Sequence, residues 1–203
     1  MKYKEKQKLW LNNVKELSKV NEWKFKSYFI FKVVNDFFFS STFYVSLKEN
    51  SISGWLGYKP LNIDNVFWDI IDELPNKKMP LSFRAEAAFC VREINYYNYK
   101  IDINDELNPE IEIKEALNTI DKNVNDKTKR VKTLTDFQSE MLENEKLNSV
   151  GIITSLIEQR KFDDALGKIN EYKKNNFNSG FNFENKDFYD LAKEYCNNNI
   201  TKK

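Results

Sequence analysis

Between Lys24 and Lys59 hydrophobic and polar positions alternate with a period of two, and before and after this stretch the period lengthens to that of a helix. Over residues 4–20, Trp10, Leu11, Val14 and Leu17 recur at spacings that share one helical face, and the other positions are mostly Lys, Glu, Gln and Asn. The pattern predicts an amphipathic N-terminal helix. Residues 24–34 and 37–48 then read as strands. Phe25, Phe29, Phe31 and Val33 share one face of the first, and Phe37, Phe39, Phe43, Val45 and Leu47 share one face of the second. Asn35-Asp36 suits the hairpin turn between them. A third run, Ile52–Lys59, completes an antiparallel meander whose core face packs on the N-terminal helix. By the same alternation Phe38, Tyr44 and Trp55 point to the opposite face.

Past the meander, Val66, Phe67, Ile70, Ile71 and Leu74 have helical spacing, with Asn62 or Asp64 as the cap and Pro75 as the stop. Residues 82–92 and 95–103 are read as two further strands. A helix over 83–94 is the alternative, because RAEAAFCVREI combines alternation with high helix propensity. From Asn108-Pro109-Glu110 onward every segment is helical: a cap, a proline suited to a first turn and an acid near the positive end of the dipole start the first. Asp187 suits the cap of the last. The fold class expected is therefore α+β. An N-terminal helix lies on an antiparallel sheet of about four or five strands with one further helix, and an all-α C-terminal domain of about five helices follows. The boundary falls between 1–104 and 108–203.

Composition narrows the chemistry. The chain has 203 residues, a net charge of +1 and no histidine. Without histidine, the usual serine and cysteine triads and most zinc and iron sites are excluded. Carboxylates, lysines and tyrosines remain as possible catalysts, so an enzyme is less expected than a binding protein, and no cofactor or metal site is expected. A balanced charge gives no electrostatic case for nucleic acid. No run approaches the roughly 18 apolar residues a membrane span needs, and the N-terminus lacks the apolar region of a secretory signal. Cys90 and Cys196 stand in no spaced motif and read as reduced thiols of a cytoplasmic protein.

Candidate sites follow from residue type and face. Phe38, Tyr44 and Trp55, joined by Tyr96, would form an aromatic patch on the open sheet face, the kind of surface that marks a protein interface. Were 82–92 a strand, Arg84, Glu86 and Arg92 would share a face, an arrangement suited to an anionic ligand or to a carboxylate on a partner. The run Lys127, Lys129, Arg130 and Lys132 reads as a solvated helix segment, and Asp102, Asp105, Glu106 and Glu110 as an acidic linker. Gly54 and Gly57 inside a strand mark a bulge or a close approach of another segment.

Two resemblances add to this. Leu156–Lys174 (LIEQRKFDDALGKINEYKK) resembles the helical hairpin of a tetratricopeptide repeat, with Phe162, Ala165 and Leu166 in the packing positions and Ile157 and Tyr172 flanking them. Arg160 stands where such repeats carry glycine. The likeness covers one hairpin, and no second copy follows at the 34-residue period of that family. The first half, with Met79–Phe89 (MPLSFRAEAAF) after its second helix, resembles uncharacterised bacterial α/β domains, some of which act as immunity proteins against secreted toxins. The lack of histidine and of metal spacing favours a non-catalytic interaction module of a bacterial cytosolic protein, and the first-half resemblance implies the immunity or antitoxin type, whose partner is another protein such as a toxin; the balanced charge and the absence of a long apolar run leave out nucleic acid and membrane. The alternative is a small-ligand-binding protein or enzyme using Arg and carboxylate residues in a cleft between domains.

Overall fold

A computed structural model describes residues 3–85, 89–104 and 108–201. The fold is α+β: an N-terminal helix, an antiparallel sheet and a helical C-terminal region. Its compact units are each discontinuous in sequence. One comprises Met1–Lys59 with Glu93–Lys132, the other Pro60–Arg92 with Thr133–Lys203. These bounds differ from a division at 104–108 because α3 (Glu110–Arg130) packs on α1 (Tyr3–Val20) and on β6 (Ile94–Asp102), while α2 (Ile63–Ile70) packs on α5 (Glu145–Glu158).

In the first unit α1 buries Trp10 and Val14 fully, Leu11 and Leu17 partly. It packs on β1 (Lys24–Lys26), β4 (Tyr44–Ser46) and α3. Strands β2 (Phe29–Val34) and β3 (Phe37–Thr42) form the expected hairpin. Its turn residues Asn35 and Asp36 both have positive φ, 49° and 63°, the geometry that matches strand twist. Strand β5 (Ser51–Pro60) is bonded to both β3 and β4, and β6 pairs antiparallel with its other edge. The break between β3 and β4 falls at Phe43, whose N–H donates to the Tyr28 carbonyl at 2.7 Å.

Gly54 and Gly57 are both required by close approach. A Cβ at Gly54 would stand 2.0 Å from the Thr42 carbonyl oxygen, and one at Gly57 would stand 2.5 Å from Glu93 Oε2. A register shift between Leu56 and Gly57 adds a bulge, the second of the two meanings a strand glycine carries.

A part-buried polar cluster joins several elements of this unit. Asp121 on α3 accepts from the Asn21 amide (2.5 Å), the Trp23 indole N–H (2.9 Å) and the Lys32 ammonium (2.5 Å). One carboxylate thus ties the end of α1, the following turn and β2 to α3.

In the second unit α4 (Leu134–Leu142) starts with a capping box in which Thr133 and Asp136 satisfy each other's backbone N–H. α5 and α6 (Phe162–Lys174) form a helical hairpin, and α7 (Phe188–Ile200) packs on both, capped by Asp187 as its sequence position suggests. A small hairpin, β7 (Asn182–Phe183) with β8 (Lys186–Asp187), precedes α7. α5 ends in a Schellman motif: Lys161 N–H donates to the Leu156 carbonyl and Arg160 N–H to that of Ile157, both at 2.9 Å. Arg160 has φ 57°, the conformation glycine usually supplies there. Ala165, Ile169 and Tyr172 are fully buried on α6.

One strand expectation fails. Within 82–92, Leu81–Ala85 is a short 3-10 turn, and only 95–103 becomes a strand, as β6. Pro80 starts the turn, with Phe83 N–H donating to its carbonyl at 2.8 Å. Glu86 lies outside the described residues.

Candidate functional site

The aromatic patch expected around Phe38 is rearranged. Phe38 is 0% exposed. The expectation of an open face fails at this residue, because the side chains of Phe31 and Lys59 on the same face close around its ring. On one side of it Phe37 and Phe39 meet the Tyr58 ring, and on the other Phe38 stacks on Phe31 at 6.0 Å and faces the buried Lys59 ammonium, also at 6.0 Å. Tyr96 leaves the patch for a different reason. The bulge at Leu56/Gly57 resets the alternation of β6, and Tyr96 packs edge-on against Tyr58 at 5.5 Å.

Lys127 completes that cluster. Its ammonium lies 4.6 Å from the centre of the Tyr96 ring and 5.0 Å from that of Tyr58, and the side chain is buried. The solvated-segment reading of the basic run therefore holds for Lys129, which pairs with Asp126 on the surface, and not for Lys127. The signal was available: Ile113, Leu117, Ile120, Val124 and Lys127 follow one another at helical spacing on the buried face of α3. The partial burial of Asp121 carries no comparable signal, since an acid on a charged helix reads as surface.

Tyr44 stays in water, at 49% exposure, and its partner is Tyr28 at 51%. Tyr28 lies in the β1–β2 turn beside Ser27, which has φ 57°. The two rings stack at 5.8 Å with planes 13° apart, and the buried Phe29 meets Tyr28 edge-on at 5.8 Å. The strand register places Ser53 opposite Tyr44 and Lys100 opposite Ser53, and it puts Lys24 and Lys26 opposite Phe31 and Phe29. These three lysines are exposed. This stacked, exposed aromatic pair thus lies on a sheet whose neighbouring strands carry three exposed lysines. Trp55 is half-buried, its backbone N–H held by Thr42 Oγ1 at 3.0 Å and its ring lying over Gly57.

The Arg84 cluster resolves into a structural bond. Arg84 donates to Asp64 at 3.3 Å and to Asn65 at 2.9 Å, and its guanidinium lies 4.8 Å from the centre of the Trp68 ring. Asp64 is buried and also accepts the Val91 N–H at 2.8 Å. The pair fastens the loop before β6 to α2. Arg92 is exposed and stands apart from this network.

A further group of functional types escaped the sequence reading. Glu158 at the end of α5, Arg160 in the turn, Phe162 at the start of α6, Tyr195 and Asn199 on α7 and Val66 on α2 line one pocket of about 340 Å³. Burial pushes the Glu158 carboxyl above the ordinary carboxylate value, and the Asn62 amide beside it partly offsets the rise. Burial raises the Tyr195 phenol as well. These residues come from α2, from the α5–α6 turn region and from α7, far apart in sequence, so no local spacing announces the group.

Among the described residues no group of His, Cys, Asp and Glu side chains is arranged to hold a metal ion, and no helix is long and apolar enough to cross a membrane. No protein-family model, curated protein or solved structure matches the chain.

Proposed function

We propose that this chain is a non-catalytic protein-binding module of a bacterial cytosolic protein, of the immunity or antitoxin type, and that it docks a protein partner through the Tyr28–Tyr44 face. The stacked pair carries the proposal. Two half-exposed tyrosine rings, stacked on each other and, at Tyr28, against the buried Phe29, are held in place before binding. Large aromatic side chains held in place contribute much of the energy of protein interfaces, because their burial costs little conformational entropy. The lysines at 24, 26 and 100 favour an acidic surface opposite, and a toxin with an acidic active-site rim is the class of partner that fits. The bacterial and immunity assignments rest on the resemblance of the first half, not on this geometry.

The test is affinity capture from the native host, followed by titration of the purified pair. The double variant Tyr28→Ser/Tyr44→Ser should keep its melting temperature and lose about thirtyfold or more in affinity, the effect of removing a hot-spot pair. Unchanged affinity would overturn the proposal. So would salt-sensitive binding of a single-stranded oligonucleotide through the same tyrosines, since stacked rings among lysines also suit bases.

A further inference from the structure

The second compact unit holds a pocket whose chemistry the protein-binding reading leaves unused. Its polar groups are of opposite kinds and lie two residues apart. The Glu158 carboxyl is hydrogen-bonded by the Asn62 amide, and its Oε2, closed off from water, has no hydrogen-bond partner. A buried acceptor left in this state is costly, and native structures usually supply a donor, a water or a ligand. Arg160 is exposed at the pocket wall, and among the described residues it forms no ion pair. Arg160 has the left-handed backbone that glycine usually supplies at such a turn, so glycine can replace it there without strain. Between the two groups the wall is apolar and aromatic: Val66, Ile157, Phe162 and the Tyr195 ring. The volume of about 340 Å³ sits at the small end of the range for ligand sites, roughly 300–1,000 Å³.

We propose that this pocket binds a small zwitterion with an apolar body, the chemical class of an aromatic or branched α-amino acid. The ligand ammonium donates to Glu158, the carboxylate accepts from the Arg160 guanidinium, and the side chain packs against Val66, Ile157 and Phe162. An α-amino acid carries both charges on one carbon, which matches two receptor groups only two residues apart. Asn199 and the Tyr195 hydroxyl, which makes no hydrogen bond among the described residues, are at hand for the remaining polar atoms.

Calorimetric titration of the full chain tests this with three probes: L-phenylalanine, 2-phenylethylamine, which lacks the carboxylate, and 3-phenylpropionate, which lacks the ammonium. L-phenylalanine should bind, and each truncated probe should bind at least about tenfold more weakly. Glu158→Gln should weaken L-phenylalanine and 2-phenylethylamine and leave 3-phenylpropionate unchanged. Arg160→Gly should weaken L-phenylalanine and 3-phenylpropionate and leave 2-phenylethylamine unchanged. Because glycine suits the turn, Arg160→Gly should fold at least as well as the parent, so lost binding is not lost folding. Absence of heat with both L-phenylalanine and L-leucine at millimolar concentration would overturn the proposal, as would binding that neither substitution changes. None of these outcomes depends on the Tyr28–Tyr44 face.

Discussion

Lys32 and Asp121 meet at 2.5 Å beneath the Trp23 ring, whose centre lies 4.5 Å from the same ammonium and whose indole N–H donates to the same carboxylate. Residues distant in sequence and from three segments are thereby satisfied by one side chain. Removing the carboxylate leaves three donors in a largely dehydrated site. Asp121→Ala should cost roughly 2–4 kcal/mol, less than the sum of three orphaned donors because water can reach part of the site. Asp121→Asn, which keeps an acceptor and loses the charge, should cost less. Urea midpoints at constant slope measure both, and equal midpoints for Asp121→Ala and the parent would refute the role.

Trp10 and Val14 form the buried ridge of α1. Trp10→Ala deletes the larger of the two and should cost roughly 3–5 kcal/mol, the range for truncating a fully buried aromatic. A denaturant midpoint that does not move would show that α1 is held by something else.

Phe38 shows where sequence reading stops. The period of two, the hairpin at Asn35-Asp36 and the outward placement of Tyr44 were all legible, because each depends on neighbours within a few residues. The burial of Phe38 was not. Alternation divides a strand into two faces and is silent on whether one face meets water. That depends on what packs over the face, here Phe31 and the Lys59 side chain from β5, and so on contacts distant in sequence. Tyr96 was lost to a bulge, and one extra residue inverts every later assignment on a strand. The pocket residues were invisible for a plainer reason, since their proximity comes from the packing of α2, α5 and α7. Val66, Ile157 and Phe162 were legible only as packing positions, and Arg160 as an arginine where a turn wants glycine.

The burial of Phe38 gives its own test. Phe38→Ala should destabilise by roughly 3–5 kcal/mol, whereas Tyr44→Ala, at the surface, should change stability by about 0.5 kcal/mol or less. Similar losses for both would contradict their different burial.

Glu22 supplies a prediction in the stabilising direction. It is exposed, has φ 62°, and follows α1 with Trp23 N–H donating to the Ser18 carbonyl at 3.0 Å. This is the same C-terminal motif as at Arg160. Glu22→Gly removes a left-handed strain of about 1–2 kcal/mol and adds some freedom to the unfolded chain. The net gain should be about 0.5–1 kcal/mol, visible as a raised melting temperature. A lowered one would mean that the Glu22 side chain has a role of its own.

The two ends of α5 carry carboxylates that titrate in opposite senses. At the N-terminal end Glu145 accepts from the Lys168 ammonium at 2.6 Å and the Tyr172 hydroxyl at 2.8 Å, and the lysine's hydrogen bond holds its carboxyl below the ordinary value of 4.5. At the C-terminal end burial holds Glu158 above that value. The helix dipole acts in the same directions, favouring an anion at the first end and opposing one at the second. A carboxyl lowered on folding stabilises the fold above its unfolded value, and the gain is lost as the pH falls through the folded value. A carboxyl raised on folding does the reverse: the native state binds the extra proton, and stability falls as the pH rises from about 4.5 through the folded value. Near neutral pH, Glu145→Gln should therefore lower the melting temperature and Glu158→Gln should raise it. In acid, once both carboxyls are protonated, an amide closely mimics the neutral acid, and both variants should approach the parent. Melting curves of the three proteins across this range decide the matter. Shifts of the same sign at neutral pH, or no convergence in acid, would show that burial and the Lys168 contact do not set these two carboxyls apart.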